Sequence, residues 1–128
     1  MTIAIREVEI MFRLAVFNVW SHNRDDHASN FSFLMDENGT WKLGPAYDLT
    51  FSSGMNAEQS TSVMGEGRNP NINHLVKLGK EAKLNKRLVE QIIEQTVSSL
   101  GQWTTLARIY HVRKTNILLI EKAIGNIK

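Results

Sequence analysis

The chain has 128 residues, of which 42% are hydrophobic and 22% are charged, with two prolines and no cysteine. This composition excludes a disordered or collagen-like chain, and the lack of cysteine excludes disulfides and thiolate zinc sites. No apolar run approaches the roughly 18 residues that a membrane helix needs, and the first ten residues carry charges where a signal peptide would be apolar. We therefore expect a cytoplasmic protein with no membrane association.

The net charge of +2 is unevenly distributed along the chain. Residues 1–64 carry four Lys/Arg against eight Asp/Glu, whereas residues 65–128 carry eleven against five. A basic half can indicate a nucleic-acid surface. Here the bases alternate with periodic apolar residues, which favours solvated helical faces.

The first half of the chain predicts a helix followed by a β-hairpin. Residues 3–21 have apolar positions three and four apart, which is typical of a helix that packs along one stripe. The segments 31–35 and 40–43 alternate as strands, and Asn38-Gly39 between them predicts a turn with two positive-φ residues. After the hairpin, residues 60–64 predict one more short strand. The helical stripe consists of Ile5, Val8, Phe12, Ala15, Val16, Val19 and Trp20.

The second half predicts three helices. The first covers residues 74–83 with Asn71 or Asn73 as its N-cap. Asn85 caps a longer helix whose apolar stripe runs as far as Trp103. A last helix begins at Thr115 or Asn116. We therefore predict a single domain over residues 1–128 that is mainly α with a small β-hairpin, an α+β fold.

The loop "HNRDDHASN", residues 22–30, concentrates polar side chains between the first helix and the hairpin. It is either a solvated loop or a site for a metal and a proton. Because a hairpin folds back on itself, Asp48 beyond it is expected close to Asn30. A carboxylate and a carboxamide oxygen suit magnesium.

Asp25 lies five residues before Asn30, which is the spacing between base and metal ligand in the catalytic loop of protein kinases. Asp26 lacks that spacing and is expected to be a solvated neighbour. A zinc site between His22 and His27 is disfavoured because the spacing does not place them on one helical face and a third ligand is unassigned. We expect hydrogen bonds that order the loop instead.

The longer string "FNVWSHNRDDHASNFSFLMDENGTWKLGPAYDLTFS" resembles the C-terminal lobe of the HipA-like serine/threonine kinases, the toxins of bacterial toxin–antitoxin pairs. The family pattern is N-x-D-x-H-x-x-N-F-S, a hairpin and P-A-Y-D-L. The resemblance implies that Asp25 is the catalytic base and that Asn30 and Asp48 hold Mg²⁺ bridging the phosphates of ATP. It also implies that Asn23 and His27 shape the loop.

The same resemblance implies partners and a limitation. Family members phosphorylate proteins such as an aminoacyl-tRNA synthetase and are restrained by a helix-turn-helix antitoxin that binds DNA. The glycine loop and strand lysine that hold ATP do not precede Asp25, so we expect a C-lobe fragment that lacks the N-lobe. We expect no useful kinase activity from this chain alone, and either a separate N-lobe chain or self-association. The rival hypothesis is a non-catalytic interaction module, or a truncated relic, that binds a partner chain or an antitoxin.

Overall fold

The computed structural model describes residues 4–53 and 58–125. None of the helices within these ranges is long and apolar enough to cross a membrane. The mainly helical α+β fold expected from the sequence is confirmed. Its elements in chain order are α1 (Ile5–Trp20), a 3₁₀ turn (Ala28–Asn30), β1 (Phe33–Met35), β2 (Trp41–Leu43), α2 (Ile72–Glu81), α3 (Lys86–Leu100), α4 (Trp103–Ile109) and α5 (Lys114–Gly125).

The core lies where α1, α2 and α3 meet. Its most deeply buried side chains include Val16, Leu75 and Ile92, each at most 1% exposed. Gly79 allows the close approach of α2 to α3, because a Cβ at this position would lie 2.5 Å from Cγ2 of Val89. The full cluster is Phe12, Val16, Val19, Trp20, Val63, Leu75, Val89, Ile92 and Ile93. The predicted stripe of α1 thus supplies most of one wall, although Ile5 at its start is exposed.

The hairpin pairs β1 with β2 in antiparallel register, with Phe33 opposite Leu43 and Met35 opposite Trp41. Its turn differs from the predicted one, because Gly39 has a positive φ of 77° and Asn38 does not. The Asp36 carboxylate organises the turn instead. Its Oδ1 accepts the main-chain N–H groups of Asn38 and Thr40, each at 2.9 Å.

The helices of the second half correct several predicted boundaries. α2 begins at Ile72 with Asn71 as its N-cap, and the main-chain N–H of Asn71 donates to Nδ1 of His74. The Asn85 cap of α3 is confirmed. The single helix whose apolar stripe was predicted to run to Trp103 is two helices. α3 ends at Leu100, and Trp103 begins a separate helix, α4, that periodicity did not reveal.

Two further predictions on this half also change. α5 begins at Lys114, one or two residues before the predicted start at Thr115 or Asn116. The strand predicted over residues 60–64 is wrong, since Val63 forms only an isolated bridge with Glu66.

Three helices end with a residue in the left-handed region, namely His22, Lys83 and His111. After α1, the N–H of Asn23 reaches the carbonyl of Asn18 at 2.9 Å while that of His22 reaches Val19 at 3.3 Å. The same pair of bonds follows α2 and α4. This is the Schellman arrangement, and it satisfies carbonyls that the helix end leaves unpaired. Its left-handed residue turns the chain sharply away from the helix.

Candidate functional site

The polar loop starts from the buried end of α1. Asn23 is 2% exposed, and its Nδ2 donates to Oδ1 of Asn18 at 3.1 Å. The His22 ring stacks on Phe51 with centroids 5.7 Å apart. Burial lowers the pKa of His22, and the positive charge of Arg24 lowers it further. The loop is therefore fixed to the core at its first two residues.

The main chain of the loop lies between two later segments. The Arg24 N–H donates to Ser52 O at 3.3 Å, and the Ser60 N–H donates to Arg24 O at 3.0 Å. The Arg24 side chain also donates to the carbonyl of Arg68 at 2.9 Å. The loop is thus held by chain that lies 28 to 44 residues further on.

Asp26 corrects a prediction, because it is not a solvated neighbour but a buried anchor, only 5% exposed. Its Oδ1 accepts the Thr61 N–H at 2.9 Å and its Oδ2 accepts Nε2 of Gln59 at 3.1 Å. The Thr61 hydroxyl donates to the Asp26 carbonyl at 2.6 Å. Burial raises the pKa of Asp26. Sequence spacing missed this role because the partners lie 33 and 35 residues away.

Asp25 points the other way, with 55% of its side chain exposed. Its Oδ1 lies 2.9 Å from Nε2 of His27, so the two side chains form an exposed pair. The Asn30 Nδ2 donates to the carbonyl oxygen of Asp25 at 2.8 Å, across the 3₁₀ turn. The expected base and the expected ligand are therefore joined by a direct hydrogen bond.

The segment that leaves the hairpin lies beside this loop. At the base of the hairpin the Gly44 N–H donates to Ser32 O at 2.7 Å. Further along, the Tyr47 hydroxyl donates to Ser29 O at 2.5 Å, and Nδ2 of Asn23 donates to Asp48 O at 3.4 Å. Tyr47 is 43% exposed and contacts the loop through its hydroxyl.

Asp48 has a φ of 56°, in the left-handed region that Asp tolerates better than most residues. Non-glycine residues in this region are enriched at functional sites. The side chain of Asn23 holds the main-chain carbonyl of Asp48 where the chain leaves the hairpin. The backbone thus holds Asp48, an exposed residue, beside the start of the loop at Asn23.

The residues present fit a magnesium ion by the chemistry of their donors. Asn30 uses its amide nitrogen on Asp25, which leaves its oxygen as the atom that can meet a cation. Asp48 adds a carboxylate, and Mg²⁺ commonly takes one or two carboxylate ligands while phosphate and water oxygens complete its shell. The described residues contain no group of three or more His, Cys, Asp or Glu that could hold a metal.

The protein is thus a mainly helical α+β domain in which a hairpin lies between an Asp/Asn loop and a second Asp. A family model described as the HipA-like C-terminal domain matches residues 2–104, and the chain belongs to this family. No curated protein matches the chain.

Among solved structures, HipA in the complex of the Shewanella oneidensis MR-1 toxin–antitoxin system HipA, HipB and its operator DNA is similar in fold. The TM-score is 0.68 at 18% sequence identity. The match covers 91% of this chain and 29% of that chain, so the protein described here spans less than a third of the length of that relative.

Proposed function

We propose that this chain is the part of a HipA-like serine/threonine kinase that supplies the base and the magnesium ligands for phosphoryl transfer from ATP to a protein hydroxyl. The observation that carries the proposal is the bond from Asn30 to the Asp25 carbonyl, with Asp48 held beside the same loop. It supports a single site assembled from residues that are 5 to 23 positions apart in sequence.

Asp25 is the group that accepts the proton of the substrate hydroxyl. Its exposure leaves the carboxylate accessible to a protein side chain, and His27 restricts its orientation. A positioned base of this kind contributes typically 10²- to 10⁴-fold to the rate. Asn23 and Asp26 do not contact the substrate in this proposal. They hold the buried side of the loop through their hydrogen bonds.

Asn30 and Asp48 would hold Mg²⁺, which when bound offsets the negative charge of the ATP phosphates. Asp25 in the loop and Asp48 beyond the hairpin are both exposed, so without a cation they add like charge to one region. The proposed partners are a protein substrate such as an aminoacyl-tRNA synthetase and a helix-turn-helix antitoxin. The complex of the similar HipA with HipB and operator DNA supports the antitoxin and an indirect association with DNA.

A non-catalytic interaction module is the second candidate. It is favoured by the hairpin, in which all three residues of β1 are exposed and apolar, with Leu34 at 57% and Met35 at 58%. An exposed apolar strand of this kind is typical of a surface that meets another chain. A separate N-lobe chain, an antitoxin or a second copy would each cover it.

The metal ligands can be tested on the chain alone with Mn²⁺ as a paramagnetic probe in place of Mg²⁺. We expect selective broadening of the amide signals of residues 25–30 and 47–49. Asp48→Asn, which keeps the left-handed backbone accessible, should remove most of the broadening. Glu37→Gln in the exposed turn is the matched control and should leave it unchanged. Equal broadening in Asp48→Asn would overturn the ligand assignment.

The reaction can be tested in a chimera in which this chain replaces the matching region of the Shewanella HipA. We expect transfer of labelled phosphate from ATP to protein serine, reduced at least about 100-fold in Asp25→Asn. The chain alone should show no transfer. An active Asp25→Asn chimera would rule out the role of Asp25, and an inert but folded parent chimera would favour the interaction module.

A further inference from the structure

A cavity of about 310 Å³ lies between α1, the hairpin, residues 59–63 and the end of α2. Its walls are largely apolar and include Met11, Phe31, Phe33 and Leu78. None of Asp25, Asn30 and Asp48 lines it. The cavity is therefore separate from the proposed phosphoryl-transfer site, and its volume is at the lower end of the range of small-molecule pockets.

The buried polar residues of the protein gather around this cavity. Five polar or charged residues are buried in the described ranges, and four of them line it: Glu7, Asn18, Asp26 and Gln59. Asp26 and Gln59 bond to each other, and Asn18 accepts from Asn23. These three groups are thus engaged in holding the loop.

Glu7 differs from the other three. Glu7 is 9% exposed. Its Oε2 accepts the main-chain N–H of Leu43 at 2.6 Å. Within the described part of the chain, Oε1 has no hydrogen-bond partner and no Lys, Arg or His forms an ion pair with Glu7. Buried carboxylates in proteins are normally paired with a cation. Glu7 lines the apolar cavity, which is large enough to admit one.

We propose that this cavity binds an organic cation with a compact apolar body, with the cationic nitrogen at Oε1 of Glu7 and the body against Met11, Phe31 and Leu78. The charge of Glu7 selects a cation, and the apolar walls select a body without further polar groups. A free amine and the side chain of a lysine from another polypeptide share this chemistry. The proposal does not depend on the kinase reaction.

The test uses calorimetry and amide chemical shifts of the whole chain. Benzylamine is the cationic probe, benzyl alcohol its neutral counterpart and benzoate its anionic counterpart. We expect benzylamine to bind at least about tenfold more tightly than benzyl alcohol, and benzoate not to bind. Shifts should concentrate at residues 7–15 and 59–63. Equal affinity for the amine and the alcohol, or no binding of the amine at millimolar concentration, would overturn the proposal.

Two variants locate the site. Glu7→Gln keeps an acceptor for the Leu43 N–H and should weaken benzylamine binding about tenfold or more, whereas Glu9→Gln on the same helix should not. Ala15→Leu fills the cavity without touching Glu7 and should abolish binding, which keeps the proposal testable if Glu7→Gln does not fold. Unchanged affinity in Ala15→Leu would place the amine elsewhere and refute the proposal.

The source of the cation is resolved by a second pair of probes. A lysine blocked at both its amino and carboxyl groups mimics a side chain from another polypeptide, and it is compared with benzylamine. Tighter binding of the blocked lysine assigns the cavity to a polypeptide partner. Tighter binding of benzylamine assigns it to a free amine.

Discussion

Asn30 donates its side-chain N–H to the main-chain carbonyl of Asp25 across 2.8 Å. The bond closes residues 25–30 into a ring, so the five-residue spacing between the two is a structural requirement as well as a motif. It also determines which end of the Asn30 carboxamide is available to a cation. A substitution that keeps the oxygens but removes the donor separates these two roles.

Asn30→Asp should open this ring, because a carboxylate cannot donate and would face the Asp25 carbonyl. We expect a loss of about 1 kcal/mol in the free energy of unfolding, measured by urea denaturation, and faster amide exchange at residues 25–30. Gln91→Glu on the exposed face of α3 makes the same amide-to-acid change and should alter neither. Unchanged exchange in Asn30→Asp would show that the bond does not order the loop.

The buried carboxylate of Asp26 predicts a pH dependence of stability. Burial raises its pKa in the folded protein above the ordinary value of 3.8. The folded state therefore holds the proton more tightly than the unfolded state. The resulting contribution to stability is full below pH 3.8 and is lost as the pH rises through the higher folded value.

Asp26→Asn removes this titration, so the difference in unfolding free energy between wild type and Asp26→Asn should fall as the pH rises through that window. Urea denaturation from pH 3 to pH 7 measures it. The contribution of His22 to stability has the opposite pH dependence. Burial lowers the pKa of His22, so its contribution is lost as the pH falls below 6.5. It is present in both proteins and cancels in the difference. A flat difference would show that Asp26 is not desolvated.

Gly79→Ala should destabilise the protein although alanine is the better helix former. A Cβ at this position would lie 2.5 Å from Val89 and 3.3 Å from Phe12. Overpacking of this kind costs about 1 to 3 kcal/mol, against a gain of about 1 kcal/mol in helix propensity. We expect a net loss, measured by thermal or urea unfolding.

Val89→Ala tests the cause of that loss. The double variant should be more stable than the sum of the two single changes by at least about 1 kcal/mol, because the shortened side chain leaves room for the new methyl group. Gly125→Ala is the matched control, since nothing lies within 4 Å of a Cβ there. Additive effects of Gly79→Ala and Val89→Ala would exclude a steric cause.

Lys83→Gly should stabilise the protein. Lys83 follows α2 with a φ of 58° and is exposed. The left-handed conformation costs a non-glycine residue about 1 to 2 kcal/mol, and glycine avoids most of this cost at some expense in unfolded-state entropy. We expect a gain of about 0.5 to 1 kcal/mol in unfolding free energy.

Lys80→Gly provides the control for that change, because Lys80 lies inside α2 where glycine is unfavourable. It should lower the free energy of unfolding by about 1 kcal/mol. Opposite signs for the two lysine substitutions are therefore expected. A loss of stability in Lys83→Gly would show that its side chain makes contacts that outweigh the backbone cost.

Local patterns determined much of this protein. The stripe of α1, the Asn85 cap and the hairpin are consequences of side-chain spacing and turn chemistry between residues close in sequence. Because a chain reversal places its two flanking segments side by side, the hairpin also predicted that the segment carrying Asp48 lies beside the loop that precedes β1.

Other features depended on contacts between distant residues, and the sequence alone did not determine them. Asp25 and Asp26 are chemically identical neighbours, yet one is exposed and the other is buried beneath Gln59 and Thr61. The end of α3 at Leu100 and the unpaired oxygen of Glu7 are also features that the sequence alone did not determine. Burial and hydrogen bonding depend on which segments pack together, and that packing assigned each of the two aspartates its environment.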